Sequence, residues 1–249
     1  MGPTGSGKSS FIDKVVTEGM GEGVGHGSTS CTREVKATRC TLKGSSVVLV
    51  DTPGFDDTER SDWEILEIIS NWLNEEYQTG TILSALLWFH RISDNRMAGS
   101  PLKNLRVFEK LCGKCAMSKV VLVTTMWDEV EYHVGEARLE ELKVTYWKAM
   151  ISRGSKTFEY GNTRESAIQL IQSVVLRQQE TTRKGVQLQV EISDLEMELR
   201  ETAAGRELCS SLEELTRRRK ELLRRLQAEA KGADPRIAED LRRECDELQ

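Results

Sequence analysis

Gly2-Pro3-Thr4-Gly5-Ser6-Gly7-Lys8-Ser9 stands at the start of the chain and decides its fold. The octet satisfies G-x-x-x-x-G-K-[ST] in full. Its glycines let the backbone wrap close around an anion with N–H groups pointing inward. Phe11, Ile12, Val15 and Val16 follow with helical spacing, so a helix from Ser9 onward aims its positive end at the same anion. In such a loop Lys8 neutralises the β- and γ-phosphates and the charge of the transition state, and the Ser9 hydroxyl ligates Mg²⁺. Gly2, Thr4, Gly5, Ser6, Gly7 and Ser10 complete the expected nucleotide-binding cradle. A chance glycine-rich turn would not place Lys-Ser in register ahead of an amphipathic helix. The loop ordinarily follows a buried strand, and only Met1 precedes Gly2. The expectation is therefore a sheet whose first strand is missing, from a truncated or misassigned start, with low stability and weak nucleotide binding.

Outward from the loop, three apolar runs read as buried parallel strands: Val47 to Val50, Ile82 to Phe89 and Val120 to Thr124. Helical patterns lie between and after them, at Trp63 to Leu73, Leu102 to Leu111, Glu136 to Ile151 and Thr163 to Leu176. Alternation of this kind predicts an α/β fold of the P-loop NTPase type, a three-layer, doubly wound, mostly parallel sheet with right-handed crossovers. We assign residues 1–177 to this nucleotide-binding domain and residues 178–249 to an α-helical coiled-coil tail. In the tail, Leu188, Ile192, Leu195 and Leu199 form one leucine row, and Leu208, Leu212, Leu215, Leu222 and Leu226 form another. Gly205 separates the rows, Arg219 falls on the second seam, and Gly232 to Pro235 breaks the helix before a short final one. The tail is either a self-associating coil or a solvated hairpin folded back on the domain.

Asp51-Thr52-Pro53-Gly54 directly follows the first apolar run. A D-x-x-G stretch there lets the aspartate reach Mg²⁺ through a water while the Gly54 N–H senses the γ-phosphate. Between the two motifs, Gly27 to Thr32 is polar and stands where a first switch belongs. Thr32 is the predicted third metal-binding residue beside Ser9 and Asp51, with Thr29 as the fallback. Thr125-Met126-Trp127-Asp128 closes the third run, where guanine-selective proteins carry N/T-K-x-D. Asp128 supplies a carboxylate for the ring N1–H and amine, and Met126 keeps the packing of the usual lysine without its charge. Asn162, in Phe158 to Asn162, is a further candidate base contact. The ligands so predicted are GTP/GDP and Mg²⁺. Met126 keeps an ATP-binding alternative open, in which Asp128 only caps a helix.

The set GPTGSGKSS, SCT, DTPGF and TTMWD resembles the AIG/GIMAP-type GTPases, a septin-related branch that includes chloroplast outer-envelope import receptors. With HRISDNRM at His90 to Met97, the chain is most similar to fungal AIG-like proteins. The resemblance implies GTP and Mg²⁺ binding, slow hydrolysis and nucleotide-dependent pairing of G domains; it does not constrain the tail. Efficient hydrolysis of the Ras kind uses a glutamine just after D-x-x-G to orient water. Phe55 stands there and cannot do so. No residue qualifies as a general base, and Arg33, Arg91 and Arg96 are candidates to assist in trans only by charge and position. The expected function is a slow GTP-hydrolysing switch that controls self-association, as a homodimer through the G domain or tail, or binding of an unidentified protein partner. The opposing class is a non-catalytic scaffold with a degenerate G domain.

Composition narrows the classes. A net charge of −5 over 249 residues argues against general nucleic-acid binding. No apolar run approaches the roughly 20 residues that span a bilayer, so no transmembrane segment is expected. Six cysteines and no signal-peptide pattern predict reduced thiols and a cytoplasmic protein. Cys112-Gly113-Lys114-Cys115 lacks a matching second pair for zinc. His26, His90 and His133 share no ligand spacing, and Arg217 to Lys220 reads as a solvated helix face.

Overall fold

The computed structural model describes residues 1–16, 34–42, 44–97, 99–178 and 185–229, with side chains of the last helix described as far as 224. Helix α1 (Lys8–Val16) leaves the phosphate loop, and the hairpin β1 (Lys36–Leu42) and β2 (Ser45–Asp51) follows. Then come α2 (Asp62–Gln78), β3 (Leu86–Arg91), α3 (Ser100–Cys112) and β4 (Val120–Thr125). Helix α4 (Tyr132–Glu141) runs through a π-turn at Leu142–Tyr146 into α5 (Lys148–Ser152), before β5 (Lys156–Glu159) and α6 (Arg164–Gln178).

β3, β4 and β5 pair in parallel, in that order; the apolar runs predict β3 and β4, whereas β5 belongs to none of them. Strand β4 is buried on both faces because helices cover both. Val120 and Leu122 join a core with Ile65, Leu66 and Ile69 of α2 and Leu105, Phe108 and Leu111 of α3. Val121 and Val123 point the other way, into a second core with Phe11 and Val15 of α1 and Leu170 and Ile171 of α6. These are the three layers of a doubly wound fold.

The first apolar run departs from its expected pairing. Val47 to Val50 lies in β2, which pairs antiparallel with β1, and Val48 is 48% exposed. Strand β1, Lys-Ala-Thr-Arg-Cys-Thr-Leu, is too polar to announce itself; only Cys40 is buried. Where a central strand would flank β3, Met1 donates its amino group to the Leu87 carbonyl at 2.7 Å and accepts from the Phe89 N–H at 2.9 Å. Pro3 then forms a parallel bridge with Phe55 just beyond β2. Burial of the Met1 amine pushes its pKa down to about 5.

The residues after α6 follow the second reading of the tail, folding back on the domain. Residues 186–208 are not a seam awaiting a partner helix; they cross α2 and α3 as a strap. Val186, Leu188, Ala204 and Leu208 lie in the same core as Trp88 and Phe108, so a division at 177/178 cuts through that core. Ile192 and Leu199 pack against it too, but Leu195 is exposed and Glu196 turns left-handed at φ 51°. The first leucine row is therefore broken into a single turn, Gln187–Gln189 (α7), a π-turn at Val190–Asp194 and a 3₁₀ turn at Leu199–Glu201. Polar bonds secure the strap: buried Gln189 donates to the Leu73 carbonyl at 3.1 Å, and Tyr77 donates to Asp194 at 3.1 Å. Gly205 is no breaker. It lies in the first turn of helix α8 (Ala203–Glu229), where a Cβ would fall 1.9 Å from the Leu199 carbonyl oxygen. Along α8 the second row leaves the core after Leu208: Leu212 and Leu215 are exposed and Leu222 is half-buried. Residues Gly232 to Pro235 and the short final helix lie outside the described residues. No described helix is long and apolar enough to cross a membrane.

Candidate nucleotide site

All the described site residues gather at one edge of the sheet, where β2, β3 and β4 end and α1 begins. Gly5 and Gly7 hold positive φ of 74° and 87°, which lets the loop curl without side-chain clash. Buried Lys8 folds its ammonium onto the loop, donating to the Gly2 carbonyl at 3.1 Å and the Pro3 carbonyl at 2.8 Å. Ser6 donates to the Pro3 carbonyl at 2.7 Å and so tightens the same turn. Ser9 and Ser10 are exposed in the first turn of α1.

The predicted metal residues meet. Ser9 Oγ donates to Asp51 Oδ2 at 2.6 Å, joining positions 42 apart in sequence. A hydroxyl and a buried carboxylate at the mouth of the phosphate loop suit Mg²⁺, which favours oxygen ligands and retains several waters. Thr32 and its fallback Thr29 lie outside the described residues, as does Arg33.

The D-x-x-G turn is stitched to the loop by backbone. Thr4 N–H donates to the Phe55 carbonyl at 2.7 Å, and Phe55 N–H donates to the Gly2 carbonyl at 3.2 Å. Gly54 has to be glycine because a Cβ there would lie 2.6 Å from the Thr4 nitrogen and Cα. Phe55 itself is fully buried, 6.4 Å from the Trp88 ring, so it serves the core and presents only its backbone to the site.

On the base side, the buried Thr125 hydroxyl donates to the Ser6 carbonyl at 3.1 Å. That bond ties the third motif to the phosphate loop, a role the sequence reading did not assign although the residue stood inside the motif. Met126 adopts a left-handed conformation and brings its terminal methyl 3.9 Å from where a Gly7 Cβ would lie. It thus lies against the phosphate loop. Trp127 turns away, donating to Thr124 Oγ1 at 3.0 Å and stacking near Tyr132. Asp128 follows on the surface after β4, and Asn162, left-handed and exposed, follows β5. Because β4 and β5 are parallel neighbours, both residues stand at the edge where the loop opens.

Of the arginines described, Arg91 reaches the loop: its Nη1 lies 3.5 Å from where a Gly5 Cβ would be, while its Nε pairs with Asp94 at 3.1 Å. Arg96 instead lines a small cavity with His90 and Arg138. His90 is buried edge-on to Trp147, and burial lowers its pKa to about 4, so it stands neutral in this floor. Cys112 is buried, which pushes its thiol pKa up, and Cys115 is exposed; no metal-binding cluster of His, Cys, Asp and Glu occurs among the described residues.

A phosphate loop at a helix N-terminus, with the Ser–Asp pair and the glycine turn closing on it, defines a P-loop nucleotide-binding domain. The chain belongs to the AIG1 family, which matches residues 1–182. No curated protein sequence matches it. Among solved structures it is similar to Toc33 from Arabidopsis thaliana in complex with GDP and Mg²⁺, at 18% identity and a TM-score of 0.56, over 75% of this chain and 84% of that one. Toc33 in complex with Mg²⁺ and GMPPNP gives 18% identity and a TM-score of 0.55, over 75% and 85%. A structure described under the heading that dimerization is important for the GTPase activity of the chloroplast translocon components atToc33 and psToc159 gives 15% and 0.56, over 74% and 82%. At these identities the likeness is one of fold.

Proposed function

We propose that this chain is a guanine-nucleotide switch that binds GTP and GDP with Mg²⁺ and hydrolyses GTP slowly. The observation that carries the reading is the 2.6 Å meeting of Ser9 and Asp51 beside Lys8, because hydroxyl, carboxylate and ammonium converge where a Mg²⁺–triphosphate has to sit. AIG1-family membership and the nucleotide-bound Toc33 structures support it. When bound, Mg²⁺ neutralises phosphate charge and helps polarise the γ-phosphoryl group. Ser9 and Asp51 hold the metal, Lys8 draws charge from the phosphates, Gly54 offers its N–H, and Asp128, with Asn162 nearby, selects guanine. Buried Phe55 leaves the usual water-orienting position without a polar group, so turnover lies well below the roughly 1 to 100 s⁻¹ of kinases. Pairing of two G domains accelerates it, with Arg91, which among the described residues reaches the loop, as the candidate arginine; the importance of dimerization for the GTPase activity of atToc33 and psToc159 supports this by analogy. The unidentified partner and the cytoplasmic setting belong to the same proposal, and the free thiols Cys40, Cys112, Cys115 and Cys209 support a reducing compartment.

Titration with a fluorescent GTP analogue and Mg²⁺, competed by GTP and by ATP, tests the reading. GTP competes much more strongly than ATP, and Asp128→Ala loses that preference. Equal competition by ATP would remove Asp128 from base reading and favour the ATP alternative that Met126 allows. No binding at all would leave a scaffold.

A further inference from the structure

We propose that Thr4 and Asp57 form a pair that orients the attacking water for γ-phosphate hydrolysis, in place of the absent glutamine. The inference rests on the GTP-hydrolysis reading above. Thr4 is the point where the phosphate loop touches the D-x-x-G turn: its nitrogen and Cα lie 2.6 Å from where a Gly54 Cβ would stand. Its side chain is half-buried, and its hydroxyl donates to Asp57 Oδ2 at 3.2 Å. The other carboxylate oxygen, Asp57 Oδ1, accepts the Glu59 N–H at 2.9 Å, so the acceptor is fixed at both oxygens. Phe55 is turned wholly inward, and Asp57 is the first half-buried polar residue after it.

A threonine hydroxyl has one proton to donate. With that proton given to Asp57, Thr4 Oγ offers only lone pairs on its remaining side. Lone pairs attract the O–H of water and repel a phosphate oxygen, so the pair selects the nucleophile over the anion. Asp57 itself stands one hydroxyl away from the loop, which limits its repulsion of the triphosphate. In the step, the water oxygen forms a bond to the γ-phosphorus as the bond from that phosphorus to the β–γ bridging oxygen breaks. The electron pair of the broken bond goes to the β-phosphate oxygen of GDP, where the Lys8 ammonium stabilises it. The water proton held by Thr4 Oγ is released to the Thr4–Asp57 pair and then to inorganic phosphate or solvent. Thr4 thereby touches the reacting water, and Asp57 is a positioning residue acting through it.

Single-turnover GTP hydrolysis by the full chain, in wild type, Thr4→Val, Thr4→Ser, Asp57→Asn and the Thr4→Val/Asp57→Asn double variant, tests the pair. Beside the rates, dissociation constants are measured for GMPPNP–Mg²⁺ and for the transition-state mimic GDP–aluminium fluoride–Mg²⁺. Thr4→Val and Asp57→Asn lower the rate about tenfold or more and weaken the fluoride complex in step, while GMPPNP affinity stays within about threefold. Thr4→Ser recovers most of the rate lost in Thr4→Val, and the double variant is no slower than the slower single one. An unchanged rate in either single variant, multiplied losses in the double, or GMPPNP affinity falling together with rate overturns the pair and leaves the switch reading standing. A wild type that binds GMPPNP–Mg²⁺ but releases no phosphate and forms no fluoride complex overturns hydrolysis itself, and the pair with it.

Discussion

The two ends of the nucleotide site are built differently. At the phosphate end, loop and D-x-x-G turn share two backbone hydrogen bonds, a steric fit around Gly54 and the Ser9–Asp51 contact. At the base end, one hydroxyl bond from Thr125 and a methyl contact from Met126 hold the motif, and Asp128 and Asn162 are exposed. Backbone contacts survive side-chain change, whereas a base-reading carboxylate has only its own side chain to offer. On the proposed reading, the phosphate end therefore sets whether nucleotide binds, and the base end sets which one.

The sharpest attack on that division is Lys8→Ala. It removes the one ammonium in the loop and lowers GTP–Mg²⁺ and ATP–Mg²⁺ affinity alike by roughly 100-fold, since charge-assisted bonds contribute about 1.5–3 kcal/mol; isothermal titration with both nucleotides reads it. A selective loss for GTP would break the comparison. His90 tests the floor that both ends share, for its carbonyl oxygen lies 3.4 Å from the Thr125 hydroxyl and Arg91 follows it. Burial lowers its pKa from 6.5 to about 4, with Asp94 opposing and Arg91 adding to the shift. The folded state then binds fewer protons than the unfolded one between those values. Stability from this neutral ring is present above about pH 6.5 and falls by roughly 3 kcal/mol on reaching pH 4. Urea melts from pH 7 to pH 4 should show that loss, and His90→Phe should flatten it. The smallest effect is expected from Thr125→Val: about 1 kcal/mol of stability and a few-fold poorer GTP affinity, with the GTP-to-ATP ratio little changed. A collapse of that ratio would mean that Thr125 also positions Asp128.

The phosphate end was legible in the sequence because its signal is local: eight consecutive residues dictate the curl, and Asp51 and Gly54 fall at the end of an apolar run. Strands β3 and β4 and most helices were legible by periodicity; the run Val47 to Val50 was legible as a strand but not as an antiparallel one, and β1 was not legible, since its polar alternation matches any exposed loop. The tail misled for a physical reason. A leucine repeat states that one face is buried and not what buries it, so Leu188 and Leu208, which dock on their own domain, carry the same pattern as a coiled-coil seam. Gly205 misled likewise, because a glycine needed for close approach to Leu199 reads like a helix stop. Asp57 was invisible as a partner of Thr4, for nothing in its neighbours says which way the turn after Phe55 folds.

Helix α8 has one further consequence. Its root is fixed by buried Thr202, Ala204 and Leu208, whereas almost every side chain from Leu212 to Arg224 faces solvent. At a rise of 1.5 Å per residue the stretch beyond Leu208 is a rod roughly 30 Å long. Such a rod is a mechanical pointer: a tilt of about 10° at its root, too small to disturb the core, carries its tip about 5 Å.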